Sequence, residues 1–181
     1  MEATSSDAFL VQRAQQGDRQ ALAALYDSYQ TRIFRYVRVR IYDQQLAQDL
    51  TGEIFLHMME NLSKYRVMEG VPFSAWLYRL AHNHLINHFR KDNNQVYEPL
   101  ALLDERADGD DNPALAVEKR LELQRVREAL EQIDISHREV VVLRFLLGMS
   151  IAEVAAALEK SVPAVKALQY RGILTLQALL K

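Results

Sequence analysis

Residues 164–171, AVKALQYR, combine small side chains with two cations in a pattern suited to a nucleic-acid groove. On a helix, Ala164, Lys166, Ala167, Tyr170 and Arg171 share a face opposite Val162, Val165, Leu168, Leu176 and Leu179. Alanines let a backbone approach base edges and can touch thymine methyls, while lysine and arginine reach guanine edges or phosphates. Arg144 and Lys160 are expected to flank this face as phosphate anchors. With so few cations, its own affinity for DNA is expected to be modest and steeply salt-dependent.

A second set runs from Ser63 through SKYRVMEGVP and then FSAWLYRLAHNHLINHFRK. Lys64 and Arg66 lie beside aromatics, and the following helix carries Arg79, His82, Asn83, Asn87, Arg90 and Lys91. Unstacked bases need aromatic faces, amide edges and positive charge, and this stretch offers all three. The Trp76 spacing with Phe73 and Leu80 is that of a buried stripe, so Trp76 is assigned to packing.

Other chemistry is poorly represented. His84 and His88 stand at i, i+4, but no acidic residue lies between them and the chain has no cysteine, so no metal site is assigned. No GxSxG and no glycine-rich phosphate loop occurs, and no catalytic residues or cofactors are expected. The absence of cysteine excludes disulfides and thiolate metal sites. MEATSSDAF has no basic n-region or apolar h-region, and no apolar run approaches about 20 residues, so a cytoplasmic protein without membrane insertion is expected. The net charge of −2 averages over an acidic stretch and basic neighbours: residues 93–112 carry six acids against Arg106 alone.

These groups must be held by helices, because apolar residues recur at helical spacing and no strand alternation is evident. The first helix is expected to start at Ser5 or Ser6 and stop at Gly17. Asp18 and Asp43 are expected to cap the second and third, and the fourth runs from about Phe73 to Lys91 after a loop broken by Gly70 and Pro72. Residues 93–112 read as a linker, too polar to order themselves. Pro113 restarts helix, Ser136 with Glu139 and Ser150 with Glu153 suggest capping boxes, and Ser161 caps the last helix. The fold class is all-α: two small helical domains, 1–92 and 113–181, joined by a flexible acidic linker, the second ending in a helix-turn-helix.

AQDLTGEIFLHMMENLSKY, FSAWLYRLAHNHLINHFRK and the terminal SVPAVKALQYRGILTL resemble the extracytoplasmic-function (ECF) group of bacterial RNA polymerase sigma factors. The resemblance spans nearly the whole chain. It implies a first domain that binds core RNA polymerase and opens the minus-ten promoter element, and a second that reads the minus-thirty-five element. It places Asp49, Leu50, Glu53 and Phe55 toward the polymerase, and Asn83 with residues 64–72 around a flipped minus-ten base. Arg144, Lys166 and Arg171 fall on minus-thirty-five positions. An anti-sigma factor wedged between the domains is a further implied partner.

The chain departs from the group at Gly52, where glutamine is usual, at Ala167-Leu168, where Ser-Arg is frequent, and at Gly172, where alanine is common. Two other readings fit the same residues: a stand-alone helix-turn-helix regulator that binds duplex DNA as a dimer, and a sigma-like protein acting only through anti-sigma-type protein contacts.

Overall fold

The computed structural model describes residues 2–66, 72–91 and 113–181, with eight α-helices and no strand among them. The linker expected at 93–112 and most of the loop around Gly70 lie outside the described residues. The helices are α1 (Glu2–Gln15), α2 (Arg19–Arg38), α3 (Gln44–Leu62), α4 (Phe73–Lys91), α5 (Pro113–Gln132), α6 (Ile135–Val141), α7 (Ile151–Ala157) and α8 (Val162–Leu179).

Helix boundaries follow from short polar side chains. Asp18 accepts from the amides of Gln20 and Ala21 at 2.9 and 3.2 Å, starting α2, after Gly17 turns the chain at φ +89°. Asp43 accepts from Leu46 N at 2.8 Å and starts α3. Ser150 and Glu153 form the reciprocal capping box of α7, at 3.2 and 2.7 Å. Ser161 caps α8 through Ala164 N at 3.3 Å, with Pro163 in the first turn.

Two boundary expectations are corrected. Helix α1 begins at Glu2 rather than at a Ser5 or Ser6 cap. The cap of α6 is Asp134, which accepts from Ser136 N at 2.8 Å, so the box at Ser136 and Glu139 does not form. A carboxylate two residues upstream starts the helix earlier, and Glu139 is left to pair with Arg40 instead.

After Val141, the helix widens into a π-type turn over Val142–Leu146, with Leu147 N bonded to Val142 O at 3.1 Å, before Gly148 reverses the chain at φ +68°. The Gly172 position in α8 is explained by the same neighbourhood: a Cβ there would sit 2.8 Å from Val141 Cγ2 and 3.3 Å from His137 Cβ. Glycine lets α8 lie directly on α6.

The core is continuous. Val11, Leu25, Ile33, Tyr36, Ile54, Met58, Leu77 and Leu85 of the first four helices join Val140, Leu143, Met149, Val154 and Val165 in one buried cluster. Helix α4 lies at its centre, against α2 and α3 on one side and α7 on the other. Apolar area withdrawn from water on both faces of α4 is what holds the N-terminal and C-terminal helices together. Ion pairs finish the seam: Arg32 to Glu153 at 3.2 Å and Arg40 to Glu139 at 2.7 Å.

Candidate nucleic-acid and polymerase interfaces

Helix α8 and the turn before it form the first surface. Lys160 N bonds to Ala155 O at 2.8 Å, and Glu159 takes the left-handed conformation at φ +53° that closes α7. Val165 is then buried and Leu168 half-buried, while Ala164, Lys166, Ala167, Tyr170 and Arg171 are all exposed. Lys160 is exposed beside the start of this helix. Arg144 stands differently. It is half-buried, donates from Nε to Gln169 Oε1 at 3.1 Å and also bonds the Met149 carbonyl, so it braces the π-type turn against α8. Val162 and Leu179, assigned to the packed face, are exposed at its two ends.

Helix α4 and the segment after α3 form the second surface. Arg79, Asn83, Asn87 and Arg90 recur along one exposed stripe, and Lys64 and Arg66 are exposed next to it. Trp76 is half-buried, its ring centre 4.8 Å from that of Tyr65 and 5.5 Å from that of Phe73. It therefore packs as expected, yet one side of it lines two clefts. One, of about 380 Å³, includes Asn61, Asn83 and Asn87; the other, of about 550 Å³, includes Arg66, Arg79 and Lys160. An aromatic wall ringed by amides and cations can stack a base, bond its edges and hold its phosphate.

His82 does not join this stripe. Its Nδ1 lies 3.2 Å from the Tyr36 hydroxyl and 3.9 Å from Glu139, and burial pushes its pKa down against the pull of Glu139. His84 turns the other way, to Glu53 Oε2 at 2.9 Å, with its ring edge-on to His57 at 4.9 Å. Burial also lowers its pKa, against the Glu53 hydrogen bond. Among the described residues no group of three histidines or carboxylates is placed to hold a metal ion.

The outer face of α3 is the third surface. Asp49 and Glu53 are exposed on it. Leu50 and Phe55, expected toward the polymerase, are instead buried: Leu50 belongs to the inward stripe with Ile54 and Met58, and Phe55 packs on Tyr26 at 4.7 Å. The apolar groups that do face outward are Leu56 and Met59, 56% and 42% exposed. Neither was singled out from the sequence, although both fall off the inward stripe, Leu56 one turn and Met59 two turns beyond Gly52. A solvent-facing leucine and methionine framed by carboxylates have the composition of a protein-docking patch.

Residues 25–95 match the family model of sigma-70 region 2, and residues 123–176 match that of sigma-70 region 4. The chain belongs to the ECF sigma factors. It is 33% identical over 171 residues to the ECF RNA polymerase sigma factor BldN of Streptomyces coelicolor, covering 94% of this chain and 64% of BldN. It is 32% identical to the ECF sigma factor SigX of Bacillus subtilis, covering 84% of this chain and 80% of SigX. The solved structure of CnrH in complex with the cytosolic domain of CnrY superposes with a TM-score of 0.69 at 27% identity, covering 97% of both chains. The chain is thus an alternative sigma factor, of the kind that directs transcription initiation. The region 2 match takes in most of α2 with α3 and α4, and the region 4 match runs from within α5 through most of α8. No helix among the described residues is long and apolar enough to cross a membrane.

Proposed function

We propose that this sigma factor engages core RNA polymerase through the outer face of α3 and promoter DNA through α4 and α8. The working units are residues 1–92 and 113–181, with 93–112 as the connection. Asp49, Glu53, Leu56 and Met59 form the polymerase contact, with Leu50 and Phe55 supporting it from behind. Lys64, Arg66, Arg79, Asn83, Asn87 and Arg90 hold the unpaired minus-ten strand, with Trp76 as the stacking wall. Lys160, Ala164, Lys166, Ala167, Tyr170 and Arg171 read the minus-thirty-five duplex, with Arg144 fixing the helix that presents them.

The observation that carries this reading is the pairing, in one chain, of a groove-sized helix face with a base-sized aromatic and cationic cleft. Opening a duplex costs a few kcal/mol per extruded base, and a site that accepts such a base offsets part of that cost. The polymerase performs the chemistry and this chain acts as a non-catalytic subunit in the cytoplasm. An anti-sigma partner is part of the proposal, since CnrH, of like fold over its whole length, was solved with the cytosolic domain of CnrY.

Reconstitution with core polymerase and promoter DNA tests the assignment. Arg171→Ala is expected to weaken promoter binding about tenfold while core binding is unchanged. Leu56→Asp is expected to do the reverse, with core affinity down about tenfold or more. Equal loss of both activities in either variant would show that the surfaces are misassigned.

A further inference from the structure

Glu159 is the residue that neither surface accounts for. It sits in the turn between α7 and α8, yet its carboxylate crosses to α4, accepting from Arg79 Nε at 2.8 Å and, more weakly, from Asn83 Nδ2 at 3.4 Å. Those two donors lie in the middle of the stripe assigned to the minus-ten strand. Its backbone is a second, independent signal. Among the described residues it is the one non-glycine with positive φ, at a helix-closing position that glycine commonly fills without strain. The reverse turns at Gly17 and Gly148 use glycine for the same purpose.

The packing beside Glu159 seats α7 against this part of α4 and brings the carboxylate into the cleft that Arg79 lines. Ala75 of α4 and Ala155 of α7 are both buried at the seam, where small side chains let the two helices approach closely. Glu153 secures the same junction. One of its oxygens closes the capping box of α7 and the other accepts from Arg32 of α2. Helix α7 is therefore fixed in an orientation that points Glu159 at Arg79.

We infer that Glu159 is an intramolecular competitor of the promoter strand: in the closed molecule its carboxylate occupies Arg79 and Asn83 in place of a phosphate and a base edge. This rests on the assignment of α4 to the minus-ten strand. The contact makes minus-ten binding conditional on separation of the two helical groups, so the chain alone is held from scattered single strands. Anything that draws α7 away from α4 frees both donors at once. The turn that presents the duplex-reading helix thus also masks the single-strand site.

The test uses the full chain, short fluorescein-labelled single-stranded DNA of randomised sequence, and fluorescence anisotropy at low salt. Glu159→Ala removes the carboxylate and Glu159→Gln keeps an acceptor without charge. Affinity is expected to rise about two- to fivefold for alanine, the range one exposed ion pair supports, and less for glutamine. Dyes placed on cysteines introduced into α2 and α8 should move apart in the same order. Glu118→Ala, at an exposed acid on α5, controls for bulk charge and is expected to leave both readouts unchanged. Equal affinity of wild type and Glu159→Ala overturns the inference while leaving the α4 assignment standing. An equal rise in Glu118→Ala also overturns it, as an effect of net charge. If no variant binds the strand, the assignment of α4 falls and the competitor role falls with it.

Discussion

Replacing Glu139 with alanine tests how the two helical groups are held together. The partner left behind is Arg40, whose side chain is 3% exposed, with Nη2 at 2.7 Å from Glu139 Oε1. Removing one member of a buried ion pair costs about 3–5 kcal/mol, because the other charge stays in a poorly solvated site. Glu139 is itself 19% exposed. Arg40 also keeps the Tyr36 carbonyl at 3.0 Å and the Tyr36 ring at 4.0 Å. The lower end, about 3 kcal/mol, is therefore the expected size. Unfolding is not the least costly response. Arg40 follows α2 and Glu139 lies on α6, so parting the groups returns the guanidinium to water. A penalty of about 3 kcal/mol on the closed form shifts the closed-to-open ratio by about 150-fold. Small-angle scattering should show a larger radius of gyration, and dyes on α2 and α8 a longer distance, while the helical content of both groups persists. An unchanged scattering curve, with a single cooperative loss of stability, would mean that the pair belongs to folding and not to docking.

The two departing glycines should respond in opposite directions. Gly172→Ala forces a methyl to within 2.8 Å of a stiff valine, so overpacking of about 1–3 kcal/mol outweighs about 1 kcal/mol of helix propensity and the melting temperature falls. Gly52→Ala meets nothing within 4 Å on an exposed face, and the melting temperature should rise by an amount matching up to about 1 kcal/mol. Trp76→Ala should weaken single-strand binding about tenfold, as loss of one stacking platform does, with duplex binding by α8 retained. Acidification should loosen the fold before its carboxylates titrate. Burial holds the pKa values of His82 and His84 below 6.5, so the unfolded chain takes up protons first and stability declines as pH falls from about 6.5 through the lowered values. Thermal melts at about pH 7.5 and 5.5 check this, and His82→Gln should flatten part of the difference.

Much of the architecture could be read directly from residue types. Asp18, Asp43, Ser150 with Glu153, and Ser161 mark helix starts because their side chains can satisfy first-turn amides whatever lies beyond. The apolar stripes of α2 and α3 set which sides turn inward, for the same local reason. The α8 face was legible too, since small and cationic residues segregate cleanly from Val165 and Leu168. Which residues of α3 face outward was less legible. Family position pointed to Leu50 and Phe55, while burial against Tyr26 and the α4 core leaves Leu56 and Met59 outside. Glu139 misled for a related reason: two acceptors compete for one helix start, and Asp134 prevails while Arg40 claims the glutamate from 99 positions away.

Residue types and spacing are enough for an all-helical chain, for most of its helix starts and for the small and cationic face of α8, because those depend on neighbours within a turn or two. That α4 is covered on both sides, that Gly172 is required by Val141 and that Glu159 reaches Arg79 follows from packing alone. Each of those joins residues dozens of positions apart. Local propensity is silent about them, because they arise only when apolar area on separate helices is withdrawn from water together and charged groups at the seam must find partners there.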